Sequence, residues 1–276
     1  MTAAEALVAG VRRLREAGLS EPAGDARRLL AHALGVAPGR LTLVLPDPIS
    51  EGAEDTYRGL LAQRVKRQPV SQIVGSRNFW GREFLVTPHV LDPRPETEIL
   101  IAAALEEPFQ TLADLGTGSG CILVTLLAER GGTRGLGLDL SPEALTIARQ
   151  NAEAHGVADR AEFRSSDWFS ALGERVDLIV SNPPYIALSE MPGLEPEVRD
   201  WEPRLALTDE GDGLGAYRAI LAGAAPRLAP GGRLIVEIGP TQAEAVTAIG
   251  KAHGMAAPEV RRDLDGRARV CLFRVP

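Results

Sequence analysis

The chain predicts an α/β fold: a doubly wound, seven-stranded, mostly parallel sheet preceded by a small N-terminal helical bundle and a linking β-hairpin. Three observations carry this. From about residue 91 onward, short apolar runs alternate with segments of helical period, the pattern of a sheet covered on both faces. A glycine-rich turn, 116–120, follows the first of those runs and opens a helix. The first 67 residues, by contrast, show only helical periodicity.

In the N-terminal part, Leu7, Val11 and Leu14 share one helical face before Gly18. Ser20 is placed to cap a second helix carrying Leu29, Leu30 and Ala33, and Leu60, Leu61 and Val65 line a later one. Leu41 to Pro48 is an apolar, proline-containing connection. Around residues 78–90 the period changes: Phe79, Phe84 and Val86 flank Gly81-Arg82, a hairpin signal. The expected strands then fall at 111–115, 135–140, 161–165, 176–181, 232–238, 258–263 and 268–274, with helices near 96–106, 119–130, 142–155, 214–228 and 241–253. Asp265-Gly266-Arg267 turns the last two strands into an antiparallel hairpin. The division expected is 1–75 for the helical domain, 76–92 for the hairpin and 93–276 for the sheet domain.

At 276 residues and 45% hydrophobic content the chain buries a full core and has room for a second, smaller domain. No run of eighteen apolar residues occurs and the N-terminus lacks a signal-peptide core, so a cytoplasmic location is expected. Cys121 and Cys271 lie in separate apolar stretches, which reads as two buried small hydrophobes and no metal or disulfide framework. A net charge of −7 argues against a protein built mainly to grip phosphate backbones. Between Thr56 and Arg82, however, six basic residues and no acidic one occur, a stretch that faces either solvent or an acidic partner.

Candidate chemistry collects at the ends of the expected strands. Asn182-Pro183-Pro184-Tyr185 leaves the run Val176 to Ser181 at the sheet edge where open α/β folds place ligands. Its prolines remove two backbone donors, so the Asn182 oxygen and a proline-flanked carbonyl can accept both hydrogens of a planar NH2 group while Tyr185 offers a flat apolar face. Gly116, Thr117, Gly118, Ser119 and Gly120 form a GxGxG turn at a helix N-terminus, and Asp139, about twenty residues on, is placed to accept from ribose hydroxyls. Asp167 and Trp168 end the third strand, where they suit an adenine edge and ring. These residues imply a nucleoside-containing cofactor and leave a dinucleotide open. His32, His89, His155 and His253 are scattered through the chain and receive no role.

In that order on successive strands, the motifs resemble those of class I S-adenosylmethionine-dependent methyltransferases, whose NPPY marks amide and amine N-methylation. Pro93-Arg94-Pro95-Glu96-Thr97-Glu98 further resembles the PRPETE segment of the HemK/PrmC family, the glutamine N5-methyltransferases of peptide chain release factors. Further matches are Phe79-Trp80-Gly81, Glu202 to Leu207, Asp212-Gly213-Leu214 and Glu237-Ile238-Gly239 with Gln242, and the likeness covers about 70–276. Gln72 and Asp92 depart from the family pattern, which favours an aromatic and an apolar residue there.

The resemblance implies methyl transfer from S-adenosyl-L-methionine, leaving S-adenosyl-L-homocysteine, to the glutamine of the GGQ motif of class I release factors. It implies cofactor contacts from Gly116 to Gly120, Asp139, Trp168 and Asn182, substrate contacts from Asn182, Pro183, Pro184 and Tyr185, and no metal. Catalysis falls to Asn182, Pro183 and Tyr185. Arg94, Glu96 and Thr97 are expected to shape the cofactor pocket or its lid, and Glu202 to Leu207 to brace the substrate loop. A monomer without stable nucleic-acid binding is expected. The rival substrates are a ribosomal-protein glutamine and, less favoured by the charge, adenine N6 of a nucleic acid.

Overall fold

The computed structural model describes residues 1–275, which divide into two compact units. The first comprises Met1–Ser76 together with Glu195–Trp201, the second Arg77–Leu194 with Glu202–Pro276. The hairpin from Arg77 thus falls with the sheet, and a seven-residue segment from far along the chain falls with the helices.

In the first unit, helices Ala3–Glu16, Pro22–Ala33 and Glu51–Val65 pack around Leu14, Leu29, Leu30, Tyr57 and Leu61. Thr2 and Glu5 close the first helix with a capping box: Thr2 Oγ1 accepts from the Glu5 N–H, and the Glu5 carboxylate accepts from the Thr2 N–H at 2.8 Å. A Cβ at Gly10 would stand 2.0 Å from the Tyr57 hydroxyl, so glycine is required where the first and third helices touch. Ser20 does not cap the second helix. Pro22 occupies its first turn and Glu21 the cap position, because proline needs no N–H partner there and starts the helix by itself. The connection 41–48 contains a helical turn, Leu41–Val44, and a short helix at Val70–Val74 ends on Gly75 in the left-handed region.

Glu195–Trp201 joins this unit through charge and a backbone contact. Arg64, almost fully buried, pairs with Asp25 at 2.7 Å and with Glu197 at 3.1 Å, and Arg67 reaches the same Glu197 oxygen at 3.3 Å. Gln72 Nε2 donates to the Trp201 carbonyl at 2.9 Å, a bond that a phenylalanine could not make. The basic stretch is therefore not a free patch. Arg58 pairs with Glu54 and Asp55 on its own helix, Arg77 with Asp92 and Arg82 with Glu129.

The second unit opens with the hairpin β1 (Ser76–Phe79) and β2 (Arg82–Leu85). Its sheet comprises β3 (Thr111–Leu115), β4 (Arg134–Asp139), β5 (Ala161–Ser165), β6 (Val176–Ser181), β7 (Leu228–Glu237), β8 (Glu259–Arg262) and β9 (Ala268–Arg274) in the order β5-β4-β3-β6-β7-β9-β8. All neighbours are parallel except those of β9, which runs antiparallel to both β7 and β8. Alternation along the strands builds two cores: Leu178, Val180, Ile235 and Leu272 face one side, while Ile179, Leu234, Val236 and Phe273 face the other. Helices cover both faces: Glu98–Leu105, Cys121–Glu129 and Pro142–Ala154 pack on the first, Gly215–Ala224 and Ala243–Ala252 on the second.

Asn151 fastens the hairpin to the glycine turn. Its Oδ1 accepts from the Leu85 N–H at 2.8 Å, and its Nδ2 donates to the Ser119 carbonyl at 2.8 Å. Both bonds are buried or nearly so, which fixes the entry to the sheet against the loop that matters most.

Candidate active site

Because β5, β4, β3 and β6 are parallel neighbours, their C-terminal ends lie along one edge, and the sequence has loaded each end with polar residues. A cleft of about 280 Å³ opens there. Gly116 to Ser119, Asp139, Ser166, Trp168, Asn182 and Pro184 form part of its wall, so residues more than sixty positions apart meet in one place.

The glycine turn departs from β3 with the Gly116 and Thr117 N–H groups both donating to the Leu138 carbonyl, at 2.8 and 3.0 Å. Gly116, Gly118 and Gly120 all have φ between 55° and 77°, a conformation costly for any residue with a Cβ. A Cβ at Gly116 or Gly118 would meet open space, so there the requirement is backbone conformation and an unobstructed approach from the cleft. At Gly120 a Cβ would stand 3.1 Å from that of Ala148, and here the glycine serves helix packing as well.

Under the loop, the fully buried Asp114 accepts from the Thr117 hydroxyl at 2.7 Å. Burial pushes its carboxyl up to about 7, only partly offset by that hydrogen bond. Asp139 accepts from the Gly118 N–H at 2.8 Å and from the Ser141 N–H at 2.9 Å, one on each oxygen. It therefore shapes the glycine turn before it touches any ligand. Burial again raises its pKa, and the N–H groups of Ser141 and Gly118 pull it back.

Trp168 has φ 46°, a strained value for a bulky side chain, and the Ser166 hydroxyl holds the turn by donating to the Trp168 carbonyl at 2.8 Å. Asp167 is exposed, bonds its own N–H to Ser170 and does not line the cleft. Pro183 and Tyr185 also lie off the cleft wall: Pro183 is buried, and Tyr185 packs against the apolar cluster of one sheet face, where burial drives its phenol up to about 12. Cys121 is not a buried hydrophobe but a half-buried residue on the cleft wall, its thiol pushed up to about 12 by desolvation.

The sequence assigned no role to Pro88 to Pro93, whereas Arg94 was expected to shape the cofactor pocket and Glu202 to Leu207 to brace the substrate loop. Pro88 to Arg94 form one side of the cleft, and Pro203, Leu205 and Ala206 another. These two sides meet through Arg94, which donates at 2.7 Å to both oxygens of the buried Glu202; burial raises the Glu202 carboxyl and Arg94 lowers it. Arg94 and Thr97 line the cleft and Glu96 does not. Thr97 lies between two conspicuous partners, donating from Oγ1 to Glu237 at 2.6 Å and accepting from Asn182 Nδ2 at 3.2 Å. Burial pushes Glu237 up to about 7, against the Thr97 hydrogen bond. Among the described residues no cluster of histidine, cysteine or carboxylates could hold a metal ion, and no helix is long and apolar enough to cross a membrane.

Residues 5–75 match the PrmC N-terminal domain family, and residues 91–192 match the methyltransferase small domain family. A release factor glutamine methyltransferase of Cereibacter sphaeroides is 60% identical over 276 residues, covering 100% of this chain and 99% of its own. One from Rhodospirillum rubrum is 42% identical across 96% of this chain and 82% of its own length. In fold, a methyltransferase from Pyrococcus furiosus superimposes with a TM-score of 0.55 at 15% identity, covering 77% of this chain and 95% of its own. The seven-stranded sheet is thus that of a class I methyltransferase, and the chain belongs to the release factor glutamine methyltransferase family.

Proposed function

We infer that this chain transfers a methyl group from S-adenosyl-L-methionine to the side-chain amide nitrogen of a release factor glutamine, the one in the GGQ motif of class I factors. The observation that carries the reading is the convergence of Asn182 and Pro184, the glycine turn and Asp139 on one cleft, in a chain 60% identical over its full length to a release factor glutamine methyltransferase.

The cleft fits the cofactor. Open space at Gly116 and Gly118 lets backbone approach a nucleoside, Asp139 keeps further lone pairs for ribose hydroxyls, and Trp168 offers a face for a planar ring. When bound, S-adenosyl-L-methionine supplies a methyl group on a sulfonium, whose carbon–sulfur bond breaks with its electron pair kept by sulfur as the new nitrogen–carbon bond forms. A glutamine amide nitrogen is a poor nucleophile because its lone pair is delocalised into the carbonyl. The Asn182 Oδ1 accepts one amide hydrogen, and the Pro183 carbonyl, in the backbone between the cleft residues Asn182 and Pro184 although the Pro183 ring is buried, accepts the other, orienting the lone pair and weakening that delocalisation. Tyr185 stays a neutral phenol at physiological pH and holds the clamp's backbone in place against the sheet. Such positioning supplies roughly 7–11 kcal/mol of barrier reduction, so neither a metal nor a strong base is needed. The proton leaves to solvent after transfer, when the nitrogen is far more acidic.

In this reading residues 1–75 form the substrate-docking domain, 76–92 the link and 93–276 the catalytic domain. The enzyme acts as a monomer in the cytoplasm, where its substrate works on the ribosome. The ion-paired state of the basic stretch favours a protein over a phosphate backbone as substrate. The test is to offer S-adenosyl-L-methionine carrying a labelled methyl together with release factor, ribosomal proteins, ribosomal RNA and duplex DNA. Label is expected on the release factor alone, and label on nucleic acid or on a ribosomal protein in its place contradicts the reading.

A further inference from the structure

We propose that Thr97 and Glu237 are positioning residues that fix which end of the Asn182 side-chain amide faces the substrate; the proposal rests on the function just given and adds to it the origin of the clamp's polarity.

An asparagine amide is nearly symmetric in shape, so packing alone does not distinguish its oxygen from its nitrogen. The two ends do opposite things. Oδ1 accepts a hydrogen from an incoming NH2 group, whereas Nδ2 would meet that group donor against donor and repel it. A methyl-transfer site of this design works in one of two rotamers, and the chain must select it before substrate arrives.

The selection runs through three residues from three elements. Glu237 ends β7 and is 1% exposed; Thr97 precedes helix Glu98–Leu105 and is 2% exposed; Asn182 follows β6. A threonine hydroxyl has a single hydrogen, and at 2.6 Å from Glu237 Oε2 that hydrogen is committed to the carboxylate. Toward Asn182 the Thr97 oxygen therefore presents lone pairs only, and only Nδ2 can meet them, as it does at 3.2 Å. Oδ1 is left to face away from Thr97, in a residue that lines the cleft. Reversing the amide would demand the Thr97 hydrogen for Oδ1 and strip the buried Glu237 of its side-chain donor, a loss more expensive than an ordinary hydrogen bond. In its ionised form the glutamate only accepts, from Thr97. Its role is to polarise a two-bond chain that ends on the reacting group.

The test compares Thr97→Val, which keeps shape and removes the hydroxyl, with Thr97→Ser, which keeps the hydroxyl and removes a methyl. Single-turnover methylation of a release factor is expected to slow about ten- to a hundredfold in Thr97→Val, as befits one lost orienting hydrogen bond, and to return to within about threefold of wild type in Thr97→Ser. Affinity for S-adenosyl-L-homocysteine, read by calorimetry, is expected to change less than about threefold in both. A readout independent of activity is the Asn182 side-chain amide signal in 15N spectra, assigned by its loss in Asn182→Ala: its protons should exchange slowly in wild type and Thr97→Ser and at least tenfold faster in Thr97→Val.

Wild-type single-turnover rate in Thr97→Val overturns the proposal, as does a cofactor affinity that falls as far as the rate, or a serine variant as slow as the valine. If wild-type enzyme itself leaves the release factor unmethylated, the functional reading falls and the relay with it; if wild type methylates and Thr97→Val does so equally, the relay alone falls.

Discussion

Gln242 holds the backbone of Tyr185: its Nε2 donates to the Tyr185 carbonyl at 2.9 Å, while its Oε1 accepts from the Gly239 N–H at 3.0 Å. The backbone donor at Gly239 dictates which end of the side-chain amide is oxygen, so the nitrogen has to point at Tyr185. A residue 57 positions downstream thereby pins the clamp, and the Tyr217 hydroxyl lies 3.2 Å from the same Oε1.

Replacing Gln242 by glutamate keeps the acceptor for Gly239 and abolishes the donor for Tyr185. Loss of that bond, with a carboxylate oxygen now against a carbonyl, should lower the methyl-transfer rate about tenfold or more with the circular-dichroism spectrum unchanged. Stopped-flow or quench-flow rates at saturating release factor check it.

Gly213 sits at φ 75°, and a Cβ there would stand 2.4 Å from the Tyr185 carbonyl oxygen and 3.0 Å from the Ala187 nitrogen. Both obstacles are backbone and cannot swing aside. Gly213→Ala should therefore displace the clamp and cost about 1–3 kcal/mol of stability, read as a lower urea midpoint, together with a loss of transfer rate.

Asp139 joins two tasks, so its variants separate them. Asp139→Ala loses the ribose acceptor and also the bonds from Gly118 and Ser141, and should weaken S-adenosyl-L-methionine binding about ten- to a hundredfold while release factor affinity stays within about threefold. Isothermal calorimetry with each ligand separately is the measurement; unchanged cofactor affinity would place the ribose elsewhere.

The relay through Thr97 carries a pH dependence whose sign is fixed. Glu237 is pushed up to about 7 by burial and by Glu96, against Thr97, Arg269 and Arg94, and the phenols of Tyr185 and Tyr217 and the thiol of Cys121 also face it, all neutral in this range. Once protonated it donates to Thr97, whose own hydrogen is then free to occupy Asn182 Oδ1. The transfer rate should accordingly rise as pH rises through about 7, and Thr97→Val should lose that limb of the profile. A limb that persists in the valine variant assigns it to another group.

The strand ends were legible because apolar runs such as Val176 to Val180 stop abruptly at polar or proline residues, and a parallel order forces those ends to one edge. The glycine turn, Asp139, Trp168 and Asn182 followed from that. What lay outside reach were contacts set by distance in space. Glu237 reads as the last residue of an apolar strand, and nothing local says that Thr97, 140 positions earlier, donates to it. Likewise Glu197 reads as one acid in a loop, and only the fold shows it beside Arg64 and Arg67. Asp167 shows the other side: a polar residue at a strand end is exposed and off the cleft wall, while its neighbour Trp168 lines it.

The Asn182 clamp, in the function proposed, delivers a methyl group to one amide nitrogen of a release factor. Tandem mass spectrometry of the factor after reaction with the wild-type enzyme and with Asn182→Ala tests it most directly. A single added methyl is expected on the glutamine of the Gly-Gly-Gln peptide with wild type, and none with Asn182→Ala even though that variant still binds S-adenosyl-L-homocysteine. A methyl on any other residue, or full methylation by Asn182→Ala, would contradict it.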